Sequence, residues 1–131
     1  MNSFYTVLVK PCDEGFLTRV PDVPGCVTGG KTLDEAVAMT RDALCGCLCV
    51  YEDEGVELPP RRSPGEIARE SDEFAVMVEA DTLRWRMEND TRAVRKNVSM
   101  PAWMANMADQ RGLNCSQVLQ EALRQRLGIP G

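Results

Sequence analysis

The 131-residue sequence contains no histidine. That absence removes imidazole acid–base catalysis, the Ser/His and Cys/His nucleophile pairs, and the commonest metal ligand. No run of about 18 apolar residues occurs, so no membrane-spanning helix is expected. The N-terminal MNSFYTVLVK shows neither a charged leader nor a signal-peptide core, and a cytoplasmic protein is expected. In that compartment six cysteines do not read as a disulfide framework. Cys45, Cys47 and Cys49 alternate within an apolar helical stretch, which scatters them around a helix rather than gathering them on one ion. They are expected to be buried thiols, with no metal and no cofactor.

What is present is an uneven charge. Residues 1–91 hold 9 Lys/Arg against 18 Asp/Glu, a balance of −9, whereas residues 92–131 hold 6 against 2, a balance of +4. The basic tail suits phosphate and the acidic body suits a basic partner. Solubility alone would also account for an acidic body.

The tail is the more legible part. In Arg95-Lys96-Asn97-Val98-Ser99-Met100, Val98 and Met100 alternate with Arg95, Asn97 and Ser99, as a two-faced strand requires. Pro101 ends the strand and starts a helix expected over 102–111, which Gly112 stops. Asn114 is placed to cap a second helix, with Gln117 in capping-box position and Val118, Leu119, Ala122, Leu123 and Leu127 at helical spacing. That helix should end at Gly128, before Pro130. One strand and two short helices cannot bury their own apolar faces, so two copies are expected, with paired antiparallel strands over a shared four-helix core.

The outer face of such a ribbon fits the DNA major groove, where Arg95 can read guanine, Asn97 adenine and Ser99 either kind of edge. Lys96 can snorkel to phosphate, and the amides at Cys115 and Ser116 open the second helix toward one. Met104 and Met107 are assigned to the dimer core, and so is Trp103, with a DNA-side position as its alternative. The order strand, Pro, helix, Gly-Leu-Asn-Cys-Ser, helix resembles the ribbon-helix-helix class of Arc- and MetJ-like repressors.

In the body, Phe4–Val9 (FYTVLV) and Phe16–Val20 (FLTRV) read as a hairpin around Pro11–Gly15, and residues 26–30 as a short third strand. Thr32 and Glu35 open a long helix that stops near Glu54-Gly55. Gly46 is out of place inside it and suggests a close approach to the sheet. Asp13, Glu14 and Asp22 fall on turns expected to be exposed. Glu52, Asp53 and Glu54 oppose the helix dipole, which hints at a basic partner or else at a solvated end. Residues 56–66 form a Pro-rich loop, with a short helical turn possible over 64–70, and Phe74–Glu79 (FAVMVE) should return to the sheet. Residues 81–92 read as a linker, with a short helix as the alternative.

The run Val20-Pro21-Asp22-Val23-Pro24-Gly25-Cys26, followed by the Thr32-Leu33-Asp34-Glu35-Ala36 helix start, resembles the HicB antitoxin family. The likeness extends over about residues 3–128. It implies an α+β chain: a partial RNase H-like body over 1–80, with an antiparallel sheet and one long helix, a linker over 81–92, and a ribbon-helix-helix over 93–131. It further implies a HicA-like mRNA-cleaving toxin as partner, bound through acidic residues such as Asp13, Glu14 and Asp22. Operator DNA would be held by a tail-paired homodimer, with a tetramer possible, that represses its own operon.

An RNase H-like nuclease would need clustered carboxylates for two metal ions. FYTVLV and FLTRV carry none and FAVMVE only Glu79, so no enzymatic activity is expected. The remaining alternative is a ribbon-helix-helix regulator whose body senses a small molecule.

Overall fold

The computed structural model describes residues 2–129, Asn2 by its backbone alone. The chain divides into two compact units that part between Arg92 and Ala93. The first holds β1 (Asn2–Cys12), β2 (Gly15–Arg19), β3 (Val27–Gly30), α1 (Leu33–Asp53), β4 (Phe74–Asp81) and α2 (Thr82–Asn89). The second holds α3 (Ala102–Gln110) and α4 (Cys115–Leu127).

The four strands make one antiparallel sheet in the order β3-β2-β1-β4. The hairpin is tighter than the sequence suggests, because Pro11 and Cys12 extend β1 and leave Asp13-Glu14 as a two-residue turn. Alternation sends Tyr5, Val7 and Val9 to one face, where they join Val78 and Ala80 against Leu44, Cys45 and Leu48 of α1. Two hydroxyls are spliced into this apolar layer. Thr40 donates to the Ala36 carbonyl at 2.6 Å, which leaves Thr18 to donate to Thr40, also at 2.6 Å. Both are satisfied, as burial demands.

The opposite face carries Thr6 and Leu8, which are equally buried. Their cover is the irregular segment between α1 and β4, with its 3-10 turn at Pro64–Glu66 and the buried Ile67. Thr6 Oγ1 donates to the Arg62 carbonyl at 3.1 Å. Arg19 grips Glu73 through two hydrogen bonds of 2.9 and 2.8 Å, and the Glu70 amide adds a third at 2.8 Å.

Local signals explain the element ends. Thr32 Oγ1 accepts the Glu35 amide at 3.1 Å and caps α1. Gly30 lies so close to α1 that a Cβ there would stand 2.5 Å from the Ala36 nitrogen. Gly46 has a different reason from the one expected. It faces the Trp85 ring of α2, not the sheet, and a Cβ would sit 3.5 Å from that ring, an ordinary contact.

Residues 81–92 are not a linker through most of their length. Asp81 caps α2 by accepting the Arg84 amide at 3.1 Å, and Trp85 Nε1 donates to Asp42 at 2.9 Å. The polar pattern of this helix conceals it in sequence, because polar side chains dock it. In the second unit, Asn114 Oδ1 accepts the Gln117 amide at 3.2 Å, and left-handed Gly112 and Gly128 end α3 and α4. Pro130 lies outside the described residues. The strand expected over 95–100 has no ladder, because the described residues of the unit include no strand to pair with it.

Gly46→Ala should stabilise the fold by about 1 kcal/mol, the helix preference for alanine. Gly30→Ala should cost about 1–3 kcal/mol through overpacking. Urea denaturation of both variants checks the pair. The Arg19 hydrogen bonds, joined by the Glu70 amide and opposed by desolvation, hold the Glu73 carboxyl at about 2, below its usual 4.5. Its stabilisation is therefore complete above pH 4.5 and lost as pH falls toward 2. Glu73→Gln should flatten that acid limb in denaturation curves taken between these pH values.

Candidate functional site

Two surfaces could carry function, one on each unit. On the second, Arg95, Lys96, Asn97 and Ser99 are all exposed in the segment that leads to Pro101. No described residue of 93–129 is buried; only Ala105, Ala108, Leu119 and Ile129 are even half-covered. Val98, Met100, Trp103, Met104, Met107, Val118, Leu123 and Leu127 all lie open to solvent. At the start of α4 the Asn114 side chain takes the Gln117 amide, which leaves the first-turn amides of Cys115 and Ser116 without helical partners. The positive end of the helix dipole adds to them.

The first unit treats its three candidate acids differently. Asp13 and Glu14 are exposed at the β1–β2 turn. Asp22 is not, and here the structure corrects the sequence expectation. Its side chain is 5% exposed, and both carboxylate oxygens are engaged by Arg62, one by Nε at 2.6 Å and one by the backbone amide at 2.7 Å. It ties the β2–β3 connection to the Pro-rich segment, a contact across 40 residues that local sequence does not announce.

The acidic end of α1 finds its cation inside the chain. Arg86 of α2 donates to Glu52 at 3.2 Å, to Asp53 at 2.9 Å and to the Cys49 carbonyl at 3.2 Å. Thr82 adds a bond to Glu52 at 3.0 Å. The guanidinium thus answers the negative end of the helix dipole, which was the role assigned to an external partner.

The cysteines are free thiols, with Cys26, Cys45 and Cys49 buried. Burial pushes Cys26 up to about 11, with the neighbouring Cys47 adding to the shift, and it also raises Cys45 and Cys49. Such thiols stay protonated and inert at neutral pH.

One motif resolves into packing. Gly25-Cys26-Val27-Thr28-Gly29-Gly30-Lys31-Thr32 has the G-x-x-x-x-G-K-T spacing of a phosphate-binding loop. Here Val27–Gly30 is a paired strand in register with Arg19–Phe16, not a loop free to wrap a phosphate. Its glycines serve close approach: a Cβ at Gly29 would stand 2.5 Å from the Phe16 carbonyl oxygen.

With this geometry in place, comparisons with known proteins are informative. Residues 5–122 match the sequence profile of the HicB-like antitoxin of bacterial toxin–antitoxin systems. The chain is 27% identical over 108 residues to an uncharacterised 14.9 kDa protein from the rep-hol intergenic region of Haemophilus phage HP1, spanning 81% of this chain and 79% of that one. It is 35% identical over 65 residues to Antitoxin HicB 2 of Photorhabdus laumondii, spanning 50% of this chain and 47% of that protein, so it covers about half the length of this curated antitoxin. A chain of a toxin–antitoxin complex from Streptococcus pneumoniae has the same fold, with a TM-score of 0.61, 22% identity, and coverage of 96% of this chain and 99% of that one.

Arg86→Met should loosen α2 at a cost of about 1 kcal/mol, the scale of a half-exposed charged hydrogen-bond set. Faster amide exchange over Thr82–Asn89 and a red-shifted Trp85 emission are the expected readouts.

Proposed function

This chain belongs to the HicB-like antitoxin family, and from that premise we propose that it works as two modules. Residues 1–92 bind and neutralise a small HicA-like mRNA-cleaving toxin. Residues 93–131 pair with a second copy as a ribbon-helix-helix that holds operator DNA and represses the operon.

The observation that carries the second half is the bare apolar surface of the tail. A unit with no buried residue among those described cannot stand on its own core. Pairing supplies both missing parts together. Two antiparallel copies of residues 95–100 satisfy each other's backbone groups, and the open faces of α3 and α4 cover one another. Val98 and Met100 then turn inward, and Arg95, Asn97 and Ser99 turn outward.

Alternate residues on a strand stand about 6.6 Å apart, close to the span of two base pairs at about 3.4 Å each. Each strand of the ribbon would therefore present one reading side chain per two base pairs. Arg95 pairs with guanine O6 and N7, Asn97 with adenine, and Ser99 with either edge. Lys96 and the amides of Cys115 and Ser116 hold phosphates, which fixes register without reading sequence. The balance of +4 over 92–131 supports such contact.

The body supports the first half. Its −9 balance over 1–91 draws a basic protein in, and Asp13 and Glu14 stand exposed for it. The Streptococcus relative comes from a toxin–antitoxin complex, which favours a toxin as the partner here as well.

The test is co-expression with the small open reading frame next to this gene. Arg95→Ala with Asn97→Ala should lower operator affinity at least about 100-fold by fluorescence anisotropy, since each good base contact is worth about 1–3 kcal/mol. Dimer sedimentation and toxin co-purification should be unchanged. Residues 1–92 alone should still capture the toxin. Wild-type operator affinity in the double variant, or capture by the tail alone, would sink this division of labour.

A further inference from the structure

On the outer face of the sheet lies a groove of about 580 Å³ that none of the roles above uses. Its floor is Phe4 and Met77, diagonal neighbours on β1 and β4 that remain 50% and 46% exposed. Its wall is the run Leu58-Pro59-Pro60-Arg61. That wall is fixed in place. Tyr5 Oη donates to the Pro59 carbonyl at 3.0 Å, Thr6 holds the Arg62 carbonyl at 3.1 Å, and Asp22 clamps Arg62. Two successive prolines stiffen it further. A site held this way loses little entropy when something enters it.

Arg61 is the residue of interest. Lys10, Arg19, Arg62, Arg84 and Arg86 each sit in an ion pair with an acid of the body. Lys31, Arg61 and Arg69 have neither a hydrogen bond nor an ion pair among the described residues, and of these three only Arg61 lines the groove, exposed on its rim. An unpaired cation beside an apolar floor, in a body with a balance of −9, offers an acidic group a partner here, with the acid Glu57 elsewhere on the same lining. A segment of balance +4, such as 92–131, is poorly matched in charge to such a cation. A second copy seated face to face on the same groove would bring Arg61 toward Arg61 across the two-fold, and like charges repel.

We propose that this groove receives a segment of the toxin in which a carboxylate meets Arg61 and an adjacent apolar side chain rests on Phe4 and Met77. The inference rests on the antitoxin assignment above and deepens it. The broad acidic surface attracts the partner, while the Arg61 pair and the apolar floor set its register.

The experiment uses the full-length chain with the co-expressed toxin and measures affinity by titration calorimetry. Arg61→Glu should weaken binding about 30-fold or more, as loss of a partly desolvated charge pair does. Arg61→Lys should stay within a few-fold of wild type. Phe4→Ala should weaken binding about tenfold. Thermal unfolding and operator binding should not change, which separates a contact residue from a folding defect. Reversal of one toxin carboxylate to lysine should rescue Arg61→Glu.

Unaltered toxin affinity in both Arg61→Glu and Phe4→Ala overturns the groove and leaves the antitoxin function standing. A wild-type chain that captures no toxin overturns both. A change in self-association of Arg61→Glu, with toxin affinity intact, overturns the groove in favour of a second copy.

Discussion

The body depends on one constraint: β1 is buried on both faces and must be covered twice. Tyr5, Val7 and Val9 need an apolar layer on one side, while Thr6 and Leu8 need shelter on the other. α1 meets the first need with Leu44 and Leu48. No helix is available for the second. An irregular segment takes the role and is pinned by polar groups, namely the Thr6 hydroxyl, the Asp22 carboxylate and the Arg19–Glu73 pair. A loop can cover a sheet face only if its backbone and charges find partners there. That is why Asp22 and Glu73, exposed by any local reading, are nearly shut away from water.

The tail meets the same constraint in the opposite way. Its helices are short, its apolar faces are open, and it contains no buried residue among those described. The body completes its core within one chain, whereas the tail has no core of its own among the described residues. The charge divides in the same way, since the acidic balance belongs to the unit with a core and the basic balance to the unit without one.

Much of this was legible locally. Thr32, Asn114, Gly112 and Gly128 announce their helix ends, because capping is a matter of a few adjacent residues. The strands FYTVLV, FLTRV and FAVMVE are read from β-branched and aromatic composition. Less legible was α2, whose polar sequence carries no apolar stripe strong enough to declare a docked helix. Gly46 was noticed, but its neighbour proved to be Trp85, 39 positions downstream, rather than the sheet. The acidic end of α1 called for a cation, and only folding shows that Arg86 is that cation. The match of Gly25–Thr32 to a phosphate-binding spacing shows the converse: the same glycines are required by strand pairing and by the approach of α1.

By itself, then, the sequence determined most of the segments that become helix or strand, the caps that end several of them, and which half is acidic and which basic. All of these follow from interactions within a turn or two of chain, or from composition. Tertiary structure alone decided which charges are spent on one another. Arg19 with Glu73, Arg62 with Asp22 and Arg86 with Glu52 join positions 34 to 54 residues apart. Such pairs have no period and no motif. They exist because the two covers of β1 bring distant side chains into reach, and a cation without a partner beside the groove, Arg61, can be recognised only after the others have found theirs.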